Sequence, residues 1–137
     1  MIEHARNWTA VLLLTFAANV GATPVFTVED LGDLPGGYNQ SHAAGINDSG
    51  QVVGTSNTDS GHRAYLWEDA SGMLDLGDLP GGDDRSYATG INDSGQVVGL
   101  GHTESGRRAF LWEDGSGMAD LGDLPGGLDR SIAQEIK

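Results

Sequence analysis

A 45-residue unit recurs along this chain without insertion or deletion, and that period limits the fold more tightly than any other feature. Asp30-Leu31-Gly32-Asp33-Leu34-Pro35-Gly36-Gly37 returns at 75–82 and again at 120–127. The copies are 30–74, 75–119 and a partial 120–137, about two and a half repeats, and 32 of 45 positions are identical between the first two. Repetition at this period makes each copy one supersecondary unit that buries its apolar faces against the next.

Within the second copy the apolar stretches are short, and a turn signal follows each. Ser86–Asn92 runs into Asp93-Ser94-Gly95, and Gln96–His102 into Glu104-Ser105-Gly106. Arg107–Trp112 meets Asp114 to Gly117, and Met118–Leu124 meets Pro125-Gly126-Gly127. Asx chemistry and glycines free to take positive φ favour tight reversals at these places. The pattern predicts an all-β chain of tandem four-stranded antiparallel meanders, the arrangement of β-propeller blades. A β-solenoid is the rival, although its rungs are usually shorter.

The third strand carries the stacking argument. Ala109 and Leu111 point to one face while Phe110 and Trp112 point to the other, as do Ala64, Tyr65, Leu66 and Trp67 in the first copy. A strand apolar on both faces belongs inside a stack of sheets. The aromatic stripe and the Asp-Leu-Gly-Asp-Leu-Pro-Gly-Gly motif therefore read as core and turn positions before they read as a ligand platform. Gly36-Gly37 and its copies serve chain geometry at the crossover between units.

The first 22 residues have the form of an export signal. His4 and Arg6 precede the apolar run Trp8–Val20, which ends in Val20-Gly21-Ala22, a small-x-small cleavage site. The run is too short for a membrane span, which needs roughly 20 apolar residues. The reading is a signal peptide over 1–22, a repeat domain over 23–137 and no membrane span after cleavage; an uncleaved anchor is the alternative. The chain has no cysteine, so packing between repeats replaces the disulfides common in small exported domains. Acids outnumber Lys and Arg 20 to 7, a net charge of −13 that repels phosphate backbones and anionic lipids and excludes nucleic acid as a partner.

Gly-Ile-Asn-Asp-Ser-Gly-Gln-Val-Val-Gly at 45–54 and 90–99, followed by Arg63-Ala64-Tyr65-Leu66-Trp67 and Arg108-Ala109-Phe110-Leu111-Trp112 and then by Gly-Met and Asp-Leu-Gly, resembles the bacterial HAF extracellular repeat family. That family is named for a His-Ala-Phe sequence in its third strand. The resemblance covers nearly all of 23–137 and implies a secreted or surface-exposed repeat protein with no catalytic residues to transfer. Two departures stand out: Arg63 and Arg108 replace the family's His, and Asp-Leu-Pro replaces its more usual Thr-Leu.

The domain is expected to begin with a fourth strand, Val25–Leu34, and to end with a first strand, Ser131–Ile136. Two blades and a fraction form an incomplete ring, since a propeller has at least about four blades. The expectation is a truncated part of a longer array; self-association through open blade faces is the alternative.

The search for chemistry yields no catalytic, cofactor-binding or metal-ligating residue. His42, His62 and His102 stand at repeat positions 13, 33 and 28 and share no register, so they read as solvated turn or strand-edge residues. Repeated acids make calcium worth carrying: Asp30, Asp33, Asp48, Glu68 and Asp69 recur as Asp75, Asp78, Asp93, Glu113 and Asp114. Their spacing, however, is not that of a calcium loop. Asp83-Asp84 breaks the repeat and keeps open a propeller-type, glycosidase-like hydrolase fragment. Asn47-Asp48-Ser49 and Asn92-Asp93-Ser94 match the glycosylation sequon, but Asx turns already account for them. The expected role is binding or scaffolding for an unidentified extracellular ligand or surface component, with the protein secreted, at the cell surface or in the periplasm. Catalysis is not expected. Tyr38-Asn39-Gln40 against Asp83-Asp84-Arg85 marks a variable inter-blade turn where a ligand-facing surface can diversify.

Overall fold

A computed structural model describes residues 25–137. The expected signal peptide, 1–22, lies outside the described residues. The described chain is all-β, with two antiparallel four-stranded sheets and no helix. The first comprises β1 (Ser41–Ile46), β2 (Val52–Asn57), β3 (His62–Glu68) and β4 (Gly72–Asp75). The second comprises β5 (Ser86–Ile91), β6 (Val97–Thr103), β7 (Gly106–Glu113) and β8 (Gly117–Asp120). Spatial order follows chain order in both, so each copy is a meander, and neither sheet closes on itself.

Local chemistry explains the reversals. Asn47 Oδ1 accepts from the N–H groups of Ser49 (3.1 Å) and Gln51 (3.0 Å), and the Asn47 carbonyl accepts from Gly50 N–H. Gly50 closes the turn at φ +78°, where a Cβ would be strained. Asn92 and Gly95 repeat the construction. One extra residue, Ala44 or Thr89, bulges the first strand of each sheet against the second.

The fourth strands are shorter than the apolar pattern predicts. β8 stops at Asp120 rather than Leu124, because Asp120 Oδ1 accepts from Gly122 N–H at 2.7 Å and Gly122 turns the chain at φ +72°. Asp75 and Gly77 do the same after β4. The chain then crosses to the next unit through the Gly-Gly pair. A Cβ on Gly82 would lie 2.4 Å from the His102 carbonyl oxygen, so only glycine allows that approach.

Nor do the expected terminal strands form. Val25–Leu34 makes no strand pairing, although Leu34 is buried and its N–H donates to Ser56 Oγ. Ser131–Ile136 is preceded by a single bridge, Arg107 to Arg130, and pairs no further. Neither segment is paired edge to edge in a sheet: Ala133–Glu135 lies over β5, where Thr89 Oγ1 donates to the Ala133 carbonyl at 2.7 Å, without forming a ladder with it.

The second sheet lays β5 across β1, β2 and β3 of the first. Val53, Ala64 and Leu66 from the first sheet meet Leu76 and Leu79 of the crossover and Ala88, Ile91, Val97, Phe110 and Trp112 of the second. Both faces of the third strand are covered as expected: Ala64 and Leu66 are buried on one side and Tyr65 on the other. Trp112 is buried, while Trp67 at the same repeat position is half-buried.

Candidate functional site

The stack of sheets has two ends, and they differ in how faithfully the repeat is kept there. At one end lie the Asn-Asp-Ser-Gly-Gln turns and the ends of the third strands. Asn47 Nδ2 donates to Gln51 Oε1 (2.6 Å) and across the sheets to the Asn92 carbonyl (3.0 Å). Asp48 N–H donates to Asp93 Oδ1 (3.0 Å), again one repeat away. Gln51 and Gln96 donate to Glu68 and Glu113. A cleft of about 680 Å³ opens here between Gln51 and Glu68 on one side and Gln96 and Trp112 on the other.

The repeated acids do not converge. Asp30, Asp75 and Asp120 each accept from a glycine N–H two residues on. Asp78 is taken by an arginine, Asp93 by the turn of the preceding unit, Glu68 and Glu113 by glutamines. Among the described residues no three acids or histidines lie close enough together to hold a metal ion.

Between the ends, hydroxyl groups tie unit to unit. Ser86 Oγ accepts from the Ala64 N–H of the preceding sheet (2.9 Å) and donates to the Gly77 carbonyl (2.5 Å). Ser131 does the same with Ala109 and Gly122. Arginine adds a second tie. Arg63 Nη1 lies 2.9 Å from Asp78 and its Nη2 lies 2.6 Å from Asp84. Arg108 faces Asp123 at 2.8 Å, off the line of a good hydrogen bond, and Asp129 at 3.5 Å. Each arginine thus faces the aspartate of the Asp-Leu-Pro segment that follows it. Asp84 is held by Arg63, and Asp83 stands near Arg85 (3.7 Å) and His102 (3.6 Å).

At the other end, where the β2–β3 hairpin meets the crossovers, the copies diverge. Asn39, Asp84 and Asp129, at the tenth position of each copy, all take positive φ, a conformation Asn and Asp tolerate better than other side chains. A groove of about 630 Å³ runs past Gln40, His42, Asn57 and His62 to Tyr87. His62 lies on one side of Tyr87, ring centroids 5.6 Å apart, and His102 is its other ring neighbour at 6.1 Å. His62 Nδ1 is 2.6 Å from Asn57 Oδ1, and Asn57 Nδ2 donates to Gln40 Oε1 at 3.0 Å.

Sequence reasoning set the histidines aside for lack of a common register, yet the fold gathers His62 and His102 around one tyrosine. Hairpin pairing sets Asn57 beside His62 and Thr55 beside His42, but His62 reaches Tyr87 only through the bridge to Arg85 between the units, which no local pattern signals. Away from both ends, Tyr65 is a buried residue, and desolvation raises its pKa. Set against models of known protein families, curated proteins and solved structures, the chain matches none.

Proposed function

We propose that the chain is an exported, acidic repeat protein of the HAF kind, whose units are propeller blades. Its role is binding or scaffolding outside the cell, at its surface or in the periplasm, without catalysis of its own. One observation carries this reading: side chains that recur from unit to unit are spent on closing turns and on joining units. Ser86 bridges two sheets, Asn47 reaches the Asn92 carbonyl, and Arg63 holds two carboxylates of the crossover. An active site needs residues released from that duty.

Expression of the full chain in a bacterial host, followed by fractionation and N-terminal sequencing, tests the proposal. The expected product is β-rich by circular dichroism, lies outside the cytoplasm and starts at Thr23. Retention in the cytoplasm with Met1 in place overturns export. Turnover of a polysaccharide panel, lost in Asp83→Asn or Asp84→Asn, overturns the non-catalytic role.

Self-association is a second reading, favoured by the exposure of Ile46. Ile46, Val52 and Trp67 present the face equivalent to the one that Ile91, Val97 and Trp112 bury against the first sheet. Ile46 is 68% exposed where Ile91 is 9%. A second copy docks there, and light scattering over a concentration series reads the expected dimer or larger species.

A further inference from the structure

We propose that the groove around Tyr87 is a binding site for an uncharged saccharide. The inference rests on the reading of the protein as an exported binding module and adds to it a site and a ligand class. Its first support is where the repeat fails. Seven of the eight residues lining the groove, all but Ser41, stand at positions where the first two copies differ, although only 13 of 45 positions differ overall. Around the cleft at the opposite end, Leu74 alone of ten lining residues does so. A strand edge free of function should diverge equally at both ends. Here the lining of the cleft is kept and the lining of the groove is varied, as expected where varied positions carry binding and repeated ones carry packing.

The second support is the chemistry of the lining. Tyr87 is half-buried and rests against His62, so the two rings form a rigid, partly apolar surface of the kind on which the C–H face of a sugar ring stacks. Around it stand the amides of Asn39, Gln40 and Asn57 and the hydroxyl of Thr55. An amide offers two donors and an acceptor, and a hydroxyl can act as either, which matches the alternating demand of adjacent sugar hydroxyls. The groove, at about 630 Å³, has volume enough for more than one sugar unit.

Charge decides between ligand classes. No Asp or Glu lines the groove, in a chain where acids outnumber Lys and Arg 20 to 7. A cationic ligand therefore lacks a carboxylate partner there. An anionic one is repelled by the net charge of −13 and finds no Lys or Arg in the lining. What remains is a neutral, hydroxyl-rich ligand that an aromatic ring and amides can hold.

Isothermal titration of the full exported chain with cellohexaose, maltohexaose, xylohexaose and chitohexaose tests this, with polygalacturonate as the anionic comparison. The expected result is saturable binding of at least one neutral hexasaccharide and none of polygalacturonate. Tyr87→Ala should weaken that binding at least tenfold with the circular dichroism spectrum unchanged. His62→Ala, at an exposed residue, should weaken it several-fold, and Ser94→Ala, at the opposite end, should leave it unaltered. Preference for polygalacturonate, binding that survives both Tyr87→Ala and His62→Ala, or a folded, exported protein that binds none of the four oligosaccharides overturns the proposal. That last outcome leaves the export reading intact, whereas a chain found in the cytoplasm with Met1 retained sinks the reading on which this one rests.

Discussion

The two sheets are built from units identical at 32 of 45 positions, yet they are buried very differently. Ile91 is 9% exposed and Ile46 68%; Ser86 is fully buried and Ser41 exposed. The residues and their strand registers are the same. What differs is the presence of a preceding sheet for the second unit to lie against. Burial in such an array belongs to the junction between units and not to the unit, which is the nearest-neighbour character expected of repeat proteins.

Truncating the same isoleucine in the two sheets is the strongest way to break that contrast. Ile91→Ala should cost about 2–5 kcal/mol, as for a buried aliphatic side chain, and Ile46→Ala should stay within about 0.5 kcal/mol, as for an exposed one. Chemical denaturation at low protein concentration measures both. Equal losses would mean that the first sheet's face is covered in solution, and concentration-dependent losses for Ile46→Ala alone would identify a second copy as the cover.

The serine at the twelfth position sharpens the comparison with one atom. Ser86→Ala leaves the Ala64 N–H buried without its acceptor and should cost about 1–3 kcal/mol. Ser41→Ala removes only an exposed bond to the Gly32 carbonyl and should cost no more than about 0.5 kcal/mol. Urea midpoints of the two variants decide it; a Ser86→Ala midpoint no lower than that of Ser41→Ala would remove this hydroxyl from the junction.

Arginine gives a smaller difference. Arg63 meets two carboxylates, at 2.9 and 2.6 Å, whereas the outer partner of Arg108, Asp129, lies at 3.5 Å and is largely exposed. Arg63→Ala should cost about 1 kcal/mol, between the values of an exposed ion pair and a charged hydrogen bond, and Arg108→Ala less. Raising the salt concentration should narrow the gap between Arg63→Ala and the parent protein. A gap indifferent to salt would assign the loss to packing of the arginine stem.

Much of this was legible in the sequence, and the rest failed for identifiable reasons. Alternation and turn residues located β5, β6 and β7 to within a residue or so, because Asn92 and the flanking glycines fix the turns locally. The same alternation carried the fourth strand too far, since Leu121 and Leu124 continue the apolar pattern while Asp120 and Gly122 bend the backbone out of it. Composition alone could not have shown the Tyr87 groove. Its residues come from repeat positions that look unrelated until the bulged β1–β2 register and the β2–β3 register set the first sheet's residues side by side and the His62–Arg85 bridge between units brings Tyr87 to them. The arginine ties were not visible: Arg63 and Asp78 stand 15 residues apart and meet only where the chain crosses to the next unit.

The smallest expected effect separates the sheets by a single oxygen. Tyr65 in the first sheet and Phe110 in the second occupy one repeat position, and both are almost wholly buried, at 1% and 0% exposure. Desolvation raises the Tyr65 pKa above its ordinary value of 10.0. The folded state therefore holds the phenolic proton more tightly than the unfolded chain does, and the stability tied to that proton is intact below about pH 10. As pH climbs through the unfolded value toward the folded one, the unfolded state loses its proton first and the fold is weakened. Tyr65→Phe should change stability little at pH 7, because phenylalanine already fits the equivalent site, and should remove this part of the alkaline loss. Denaturation midpoints of parent and variant should thus run together up to about pH 9 and separate above it, with the variant the more stable. Midpoints that keep a constant spacing from pH 7 to about pH 11 would show that the phenol is solvated, and with it that the outer face of the first sheet is open down to its third strand.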